Sequence, residues 1–464
     1  MMKLYRYRTI ESALAEIEHG TFYFASREEL NDPIEGYIKL YFQGDQPAWE
    51  GLLRNYVCSL FICIHNYLLI SPSIDYTNKS LEKIFKEIQP HTVIIDIYRF
   101  NSVPIGKILR ELSEVFLNDD SVQKLVNLYG NREFKCLSKE LKLILRTVHH
   151  IAFNLCIRYL KAGNILQDFP EMISPGEFPF EAVQSMDRSE WIQFANEAEN
   201  MIADAMEHLN FYAKSRKESF DLTDSVSYNH RRHMTWANIQ VNFPKIYVGQ
   251  LQNIIYPDAH VVCFSETDTN SAMWGNYAQN HQGICFVYET QMINDQNFIT
   301  VDSKKMKVRR ITYHGAVIER NFFTTFGRLT YTQIQTWLTG KNGKISKLID
   351  RFSNQNVDSW RNQYWSDYIE KFHRKNSAWD HEKEYRIMLE DPLYRYDSKT
   401  KRCLTYDPLA LKEIIFGINI SIDDKFRLVK KFQQCGTKFA HVKFYQAEYK
   451  DDTQEISPRH IRYV

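Results

Sequence analysis

Two arginines near the start of the chain have a spacing that suits anion binding. The segment Tyr5-Arg6-Tyr7-Arg8 alternates as a β-strand does, and period two places Arg6 and Arg8 on one strand face. Two guanidinium groups on one face repel each other unless an anion lies between them, and the planar guanidinium binds phosphate or carboxylate through two hydrogen bonds. The pair indicates an anion site, with an edge strand carrying a solvated, charged face as the alternative.

A second group of polar side chains follows a strongly apolar segment. Residues 261–264 are typical of a buried strand, and Ser265-Glu266-Thr267-Asp268 comes directly after them. Trp274 and Tyr277 lie three residues apart, on one face of a short helix. Hydroxyl and carboxylate groups at a strand end suit a binding site. The two rings could enclose a flat ligand ring or equally fill core.

Two glutamates near the end of the chain form the third group. A strand that begins near Glu382 would place Glu382, Glu384 and Arg386 on one face. Paired carboxylates can act as acid and base, or stabilise a cation that develops during a reaction. The alternative is a Glu384–Arg386 ion pair on a solvated face.

Other catalytic patterns are missing from the sequence. It contains no His-Glu-x-x-His, no Gly-x-x-x-x-Gly-Lys loop and no Gly-x-Ser-x-Gly elbow. The formal charge is only +1, which argues against a polyanion binder that works by bulk charge. The run Lys304–Arg310 is locally basic and could contact nucleic acid, although such runs are more often solvated strands or loops.

Cysteine use and hydropathy suggest a cytoplasmic protein. The eight cysteines include no Cys-x-x-Cys pair and lie mostly in apolar runs, as reduced core thiols do. The first residues lack the apolar core of a signal peptide. Residues 56–70 form the most apolar stretch and fall short of the roughly 18 residues that span a bilayer, so we expect no membrane partner.

The pattern of elements predicts an α+β fold in which a helical insertion divides the β core. Residues 1–44 read as strand, helix, strand and turn, and form the first part of the core. Residues 45–235 are mostly helical and are long enough to form a domain of their own. Residues 236–464 return to strands and form the second part of the core.

The three polar segments, in this order, resemble the bacterial family known as domain of unknown function 2971. The matching motifs are Leu4–Arg8 (Leu-Tyr-Arg-Tyr-Arg), Asn-Asp-Pro-x-Glu ending at Glu35, Cys-Phe-Ser-Glu at 263–266 with Met273, Trp274, Tyr277 and Gly-Ile-Cys at 283–285, and Trp-x-x-Glu-x-Glu-Tyr-Arg at 379–386. They cover residues 1–36 and about 255–445, and leave out the helical stretch between. The family name supplies no activity.

The order of motifs is also similar to that of the arginine-type ADP-ribosyltransferases, which carry Arg, Ser and Glu-x-Glu on successive strands. The resemblance implies an ADP-ribosyltransferase-like core with NAD as substrate. Arg6 or Arg8 would hold the pyrophosphate, Ser265 would orient the strand and the nicotinamide ribose, and Tyr277 or Trp274 would stack on the nicotinamide. Glu384, with Glu382, would stabilise the oxocarbenium-like state as nicotinamide leaves. In place of the expected Ser-Thr-Ser the chain has Ser265-Glu266-Thr267.

The sequence therefore leads to a hypothesis with two rivals. The leading one is an NAD-cleaving enzyme that transfers ADP-ribose to a protein or nucleic acid, or hydrolyses NAD, as a toxin or antiphage effector. In it the helical insertion would serve recognition, regulation or self-association into oligomers. The rivals are a non-enzymatic protein that senses a nucleotide or phage component, and a nuclease that uses Glu382, Glu384 and Asp268 with a divalent metal. The leading hypothesis needs no metal.

Overall fold

The structure is a computed structural model and describes residues 1–32, 35–70, 104–131, 133, 135–163, 172, 186–220, 224–313, 318–352, 357–391, 395–452 and 455–462. In these residues the α-helices are α1 (Ile10–His19), α2 (Gln46–Ile70), α3 (Pro104–Leu117), α4 (Asp120–Gly130), α5 (Ser138–Ala162), α6 (Arg188–Phe220), α7 (Asp224–Ile255), α8 (Ser271–Tyr277), α9 (Tyr331–Leu338), α10 (Val357–Lys371) and α11 (Ile422–Gln434).

The strands of the same residues are β1 (Lys3–Arg8), β2 (Thr21–Tyr23), β3 (Ala25–Ser26), β4 (Lys39–Phe42), β5 (Cys136–Leu137), β6 (Asp258–Ser265), β7 (Ile284–Glu289), β8 (Gln291–Ile293), β9 (Gln296–Val301), β10 (Lys304–Arg310), β11 (Glu319–Asn321), β12 (Glu384–Asp391), β13 (Cys403–Thr405), β14 (Leu411–Phe416), β15 (Lys443–Lys450) and β16 (Glu455–Ile461). The predicted α+β class is confirmed.

The chain divides into two compact units. The first comprises Met1–Tyr37, Pro257–Ile318 and Trp365–Val464, and the second comprises Ile38–Tyr256 and Glu319–Tyr364. Residues 38–44, 236–256 and 319–364, which the sequence pattern places in the β core, pack with the helical unit instead.

The first unit is built on a mixed sheet whose strands come from both ends of the chain. In the described residues its order is β16-β15-β14-β7-β1-β6-β12-β10-β9-β8, with β3 also paired to β6. Helix α1 covers one face, because its buried residues Ile10, Ala13 and Ile17 recur at helical spacing. It begins at the Thr9 cap and ends at Gly20, whose φ of 62° is left-handed.

Strand β1 forks away from β6, and this gap is the main irregularity of the sheet. β1 pairs with β7 along its whole length, from Lys3 to Arg8. Its pairing with β6 is confined to Tyr5 opposite Ser265 in the described chain, while β6 pairs fully with β12. Further along β6, the edge beyond the gap is taken by the short strand β3. β1 is therefore an inner strand, and the edge-strand alternative for Arg6 and Arg8 is wrong.

Gly283 lets the start of β7 approach the end of β1. A Cβ atom at this position would lie 2.2 Å from the Arg8 carbonyl oxygen, which is backbone and cannot rotate away. We expect Gly283→Ala to destabilise the protein by about 1–3 kcal/mol, as overpacking does, and to lower the midpoint of urea unfolding. The matched control is Gly275→Ala, because its Cβ would meet nothing within 4 Å and alanine favours the helix. Equal midpoints for the two variants would contradict this account.

The second unit is helical, with α2 at its centre. Helices α3, α4, α5, α7 and α9 contact α2, which is why its buried residues extend around most of its surface. A small sheet of order β11-β4-β5 completes the unit in the described residues. Helix α2 begins at Gln46, ten residues before the apolar stretch considered in the sequence analysis. It is long and apolar enough to cross a membrane by length and composition alone, but 61% of its most apolar window is buried in the fold.

Candidate functional site

The gap between β1 and β6 opens into a cleft of about 270 Å³ in the first unit. The register aligns Tyr5 with Ser265 and Ser265 with Glu384, so these three side chains lie on one sheet face across three strands. We call this space the fork cleft. Its lining includes six of the seven site residues proposed from the sequence: Arg6, Arg8, Ser265, Tyr277, Glu382 and Glu384.

Glu384 begins β12 and is held by two cations. Arg386 lies two residues further along the same strand face and donates to both carboxylate oxygens, through Nε at 2.6 Å and Nη2 at 2.8 Å. Lys375 Nζ lies 3.2 Å from Oε2. Burial by itself would raise the pKa of Glu384, but the Arg386 charge and hydrogen bonds, and then Lys375, lower the pKa to about 2. Glu384 is therefore ionised at neutral pH.

Glu382 reaches the same cleft from a turn instead of a strand. The strand predicted from residue 382 begins at Glu384, because Lys383 has a left-handed φ of 43° and closes the 3₁₀ turn Ser377–Glu382. The Glu382 carboxylate accepts hydrogen bonds from Tyr277 and, at 2.6 Å, from Lys375. Both glutamates are nearly inaccessible, so the alternative of a solvated Glu384–Arg386 pair is wrong.

Ser265 ties the end of β6 to the turn that contains Glu382. Its Oγ donates to the Glu382 carbonyl oxygen at 2.8 Å and accepts from the Thr267 amide. The side chain is fully buried. Ser265 therefore positions the two glutamates relative to the end of the sheet. Orienting the strand is one part of the role that the resemblance implies for this residue.

The two arginines of β1 have different environments. The anion between them is Glu16 of α1, whose Oε2 lies 3.3 Å from Arg6 Nε and 3.1 Å from Arg8 Nε. Arg6 also donates to the Cys263 carbonyl oxygen across the fork and is 4% exposed. The Arg8 side chain is 25% exposed, and in the described chain the Glu16 contact uses only its Nε atom. In the described residues the two terminal amino groups of Arg8 have no hydrogen-bond partner, and Arg8 lines the cleft.

The two aromatic residues of α8 also have different environments. Trp274 is fully buried, packs edge-on against Tyr7 at 5.1 Å and does not line the cleft. Tyr277 lies at the cleft, where its hydroxyl donates to Glu382 and accepts from Asn31 Nδ2 at 2.8 Å. Of the two rings considered for stacking, Trp274 fills core, and Tyr277 presents a ring to the cleft.

Sequence reasoning gave no role to three further residues of the site. Lys375 contacts Glu382, Glu384 and, at 3.7 Å, Glu35, while Arg386 also pairs with Glu35. Tyr313 accepts the Glu384 amide at 2.6 Å through its hydroxyl oxygen. Glu35 closes the Asn-Asp-Pro-x-Glu motif, so the sequence held a signal for it. Lys375 and Tyr313 belong to no motif that could have identified them.

The arrangement does not resemble a metal centre. Among the residues that the structure describes, no group of three His, Cys, Asp or Glu side chains is placed to hold a metal ion. The cations that contact Glu382 and Glu384 are instead the side chains of Lys375 and Arg386. Asp268, the third ligand of the nuclease alternative, does not line the cleft.

One family model matches part of the chain, and its description carries no activity. Residues 273–387 match the family described as "Protein of unknown function (DUF2971)", which confirms the resemblance over this segment. The match includes Tyr277, Glu382, Glu384 and Arg386, and ends before β12 does. Neither a curated protein nor a solved structure gives a significant match.

Proposed function

We propose that the protein binds NAD in the fork cleft and cleaves the bond between nicotinamide and ribose, as an ADP-ribosyltransferase-like enzyme. One observation supports this most directly: the register aligns Ser265 with Glu384, and the cleft beside them is also lined by Arg8. These are the three residue types that the resemblance requires, from segments more than a hundred residues apart. The cleft volume suits the nicotinamide-ribose part of NAD, since whole drug-sized ligands occupy roughly 300–1,000 Å³.

The chemistry follows from the charges in the cleft. As the C1′–N bond breaks, its electron pair moves to the nicotinamide nitrogen, and positive charge develops on the ribose. The ionised Glu384 stabilises that charge, because a preorganised anion in a site shielded from water is effective at the point where charge develops. The oxygen of water, or a nucleophilic atom of an acceptor, then forms the new bond to C1′, and its proton passes to bulk water.

The remaining residues of the cleft bind and orient the substrate. Arg8 donates to the pyrophosphate through its terminal amino groups, and Tyr277 stacks on the nicotinamide ring. Arg386 fixes the plane of the Glu384 carboxylate. A carboxylate has about four acceptor positions, and Glu384 uses three of them for its two cations. The Cys263 thiol, a weak donor, takes the remaining one, and a ribose hydroxyl would replace it there.

The direct test is nicotinamide release from NAD by the purified protein, with and without EDTA. Release that persists in EDTA supports the proposal. Saturable NAD binding without release would favour the non-enzymatic sensor instead. The structure has one feature that such a sensor would share: every carboxylate oxygen of Glu382 and Glu384 already has a partner within the protein. Absence of NAD binding would contradict the proposed function and would leave a sensor of another nucleotide or of a phage component.

Arg8→Gln is expected to weaken NAD binding by about 1.5–3 kcal/mol, the usual contribution of a hydrogen bond to a charged group. Isothermal titration of the variant against wild-type protein measures the loss. Lys3→Gln is the matched control, because Lys3 lies on the same strand and pairs with Glu413 away from the cleft. Equal affinities for the Arg8 and Lys3 variants would remove Arg8 from the binding site.

A further inference from the structure

Strand β10 carries a row of cations that the proposed chemistry does not use. Val308 is buried in the core of the first unit, and Met306 packs against that core. Because strand side chains alternate, Lys305, Lys307 and Arg309 project from the opposite face. We call these three residues the β10 basic face.

These cations lack the counter-ions that other strands of the unit have. Lys3 pairs with Glu413, Lys412 with Glu289, and Arg459 with Glu448, each partner lying on another strand of the same sheet. On β10, Arg310 pairs with Glu266. In the part of the chain that the structure describes, no ion pair involves the β10 basic face.

The electrostatic environment of this face is positive. Burial lowers the pKa of Lys307, and the nearby Arg309 charge lowers it further. Burial also lowers the pKa of Arg309, an effect that the exposed Glu390 opposes. Among the described residues, Glu390 is a carboxylate that acts on Arg309, and an additional anion would relieve the mutual repulsion of the three cations.

The β10 basic face lies next to the strand that contains Glu384. Arg309 is opposite Arg386 in the β10–β12 register, and Arg386 is two residues from Glu384 on the same face. On the other side, Lys307 is opposite Phe298 of β9, a half-buried ring on the same sheet face. An anionic chain that runs along β10 would thus pass beside the fork cleft, with an aromatic ring available for stacking.

We infer that the β10 basic face binds the phosphate backbone of a single-stranded nucleic acid. Side chains two positions apart on a strand repeat every ~6.6 Å. A straight row of evenly spaced cations matches a polymer with one charge in each unit, and an aromatic neighbour suits unpaired bases. The role of this polymer as ADP-ribose acceptor rests on the proposed function, whereas its binding does not.

The test is the binding of fluorescein-labelled DNA and RNA single strands of about 20 nucleotides. This length exceeds the number of nucleotides that a single OB-fold domain usually covers. Fluorescence anisotropy is measured from about 50 to 200 mM salt, a range over which phosphate contacts weaken strongly. The variant is K305Q/K307Q/R309Q. The control is K401Q/R427Q/K430Q, which removes the same charge from exposed positions elsewhere in the unit.

The β10 variant should bind about tenfold more weakly at the low salt concentration. The slope of its plot of log K against log salt should be less steep by about 2, because each phosphate that the protein no longer neutralises changes the slope by roughly 0.7. The control variant should bind as wild type does. Binding is measured without NAD, so the result does not depend on whether the protein cleaves NAD.

Three results would overturn the inference. They are no binding of either strand by the wild-type protein at low salt, equal weakening of the two triple variants, and competition by poly-glutamate as strong as that by unlabelled DNA. The last result would assign the face to an acidic protein. Circular dichroism of both triple variants checks that weaker binding does not come from unfolding.

Discussion

Glu384→Gln is expected to lower the rate of nicotinamide release from NAD by at least about 100-fold, the effect of removing one preorganised group that stabilises developing charge. The reason is the charge itself. Arg386 and Lys375 outweigh the effect of burial and hold the pKa of Glu384 at about 2, so the wild-type group is an anion at neutral pH and glutamine is not. Steady-state kinetics by chromatography of released nicotinamide would measure the ratio.

The matched control is Asp391→Asn at the other end of β12. Asp391 is also a buried carboxylate, and it accepts the amides of Arg395 and Tyr396 away from the cleft. We expect this variant to lose stability and to keep its rate per folded molecule. If both variants lost activity in proportion to their stability, Glu384 would be a structural residue and the proposed chemistry would be wrong.

The same Glu384 substitution also tests the linkage between charge and stability. From the sequence alone, Glu384→Gln should leave the melting temperature nearly unchanged, because it conserves volume. The buried ion pairs now predict a loss of about 3 kcal/mol, near the lower end for breaking such a pair, since Arg386 keeps Glu35. The folded-state pKa lies below the ordinary value, so this loss should be present above about pH 4.5 and shrink as the pH falls toward 2.

Arg386→Met is expected to destabilise the protein by about 3–5 kcal/mol, because it leaves two carboxylates without their shared cation. Arg386 is fully buried, contacts Glu35 and Glu384, and donates to the Phe372 carbonyl oxygen at 2.9 Å. Lys375 alone would then neutralise Glu35, Glu382 and Glu384. Urea unfolding at pH 7 would measure the free energy of unfolding.

Arg310→Met on the neighbouring strand provides the comparison. Arg310 is exposed and pairs with Glu266, an arrangement that contributes about 0–1 kcal/mol. A difference of at least ~2 kcal/mol between the two variants is expected from these two ranges. Equal losses would mean that the buried network stabilises the fold no more than a surface ion pair does.

Local sequence was sufficient to predict the first elements of the chain. The alternation of residues 4–8 and the apolar spacing of Ile10, Ala13 and Ile17 predicted β1 and α1, because these patterns depend on neighbours within a few positions. The sequence left the basic run Lys304–Arg310 open between a solvated strand and a loop, and in the structure it is strand β10. Its solvated lysines hid the strand from hydropathy, and pairing with β9 and β12 stabilises it.

The sequence by itself determined which chemical groups the site contains and which of them share a strand. Glu384 and Arg386 face the same way, as do Arg6 and Arg8, because period two is a local property of strands. It could not assign these groups their partners. Glu16 lies between the arginines, Lys375 between the glutamates, and Trp274 in the core.

Those partners depend on the tertiary structure, because they come from segments that meet only when the sheet forms. The register that aligns Tyr5, Ser265 and Glu384 joins three strands that are distant in the chain, and no local preference fixes it. The gap between β1 and β6 exists because β1 stays paired with β7 along its length, while β6 stays paired with β12. The sequence thus supplied the acids, the bases and the rings, and the divergence of two strands decided which of them line a cleft.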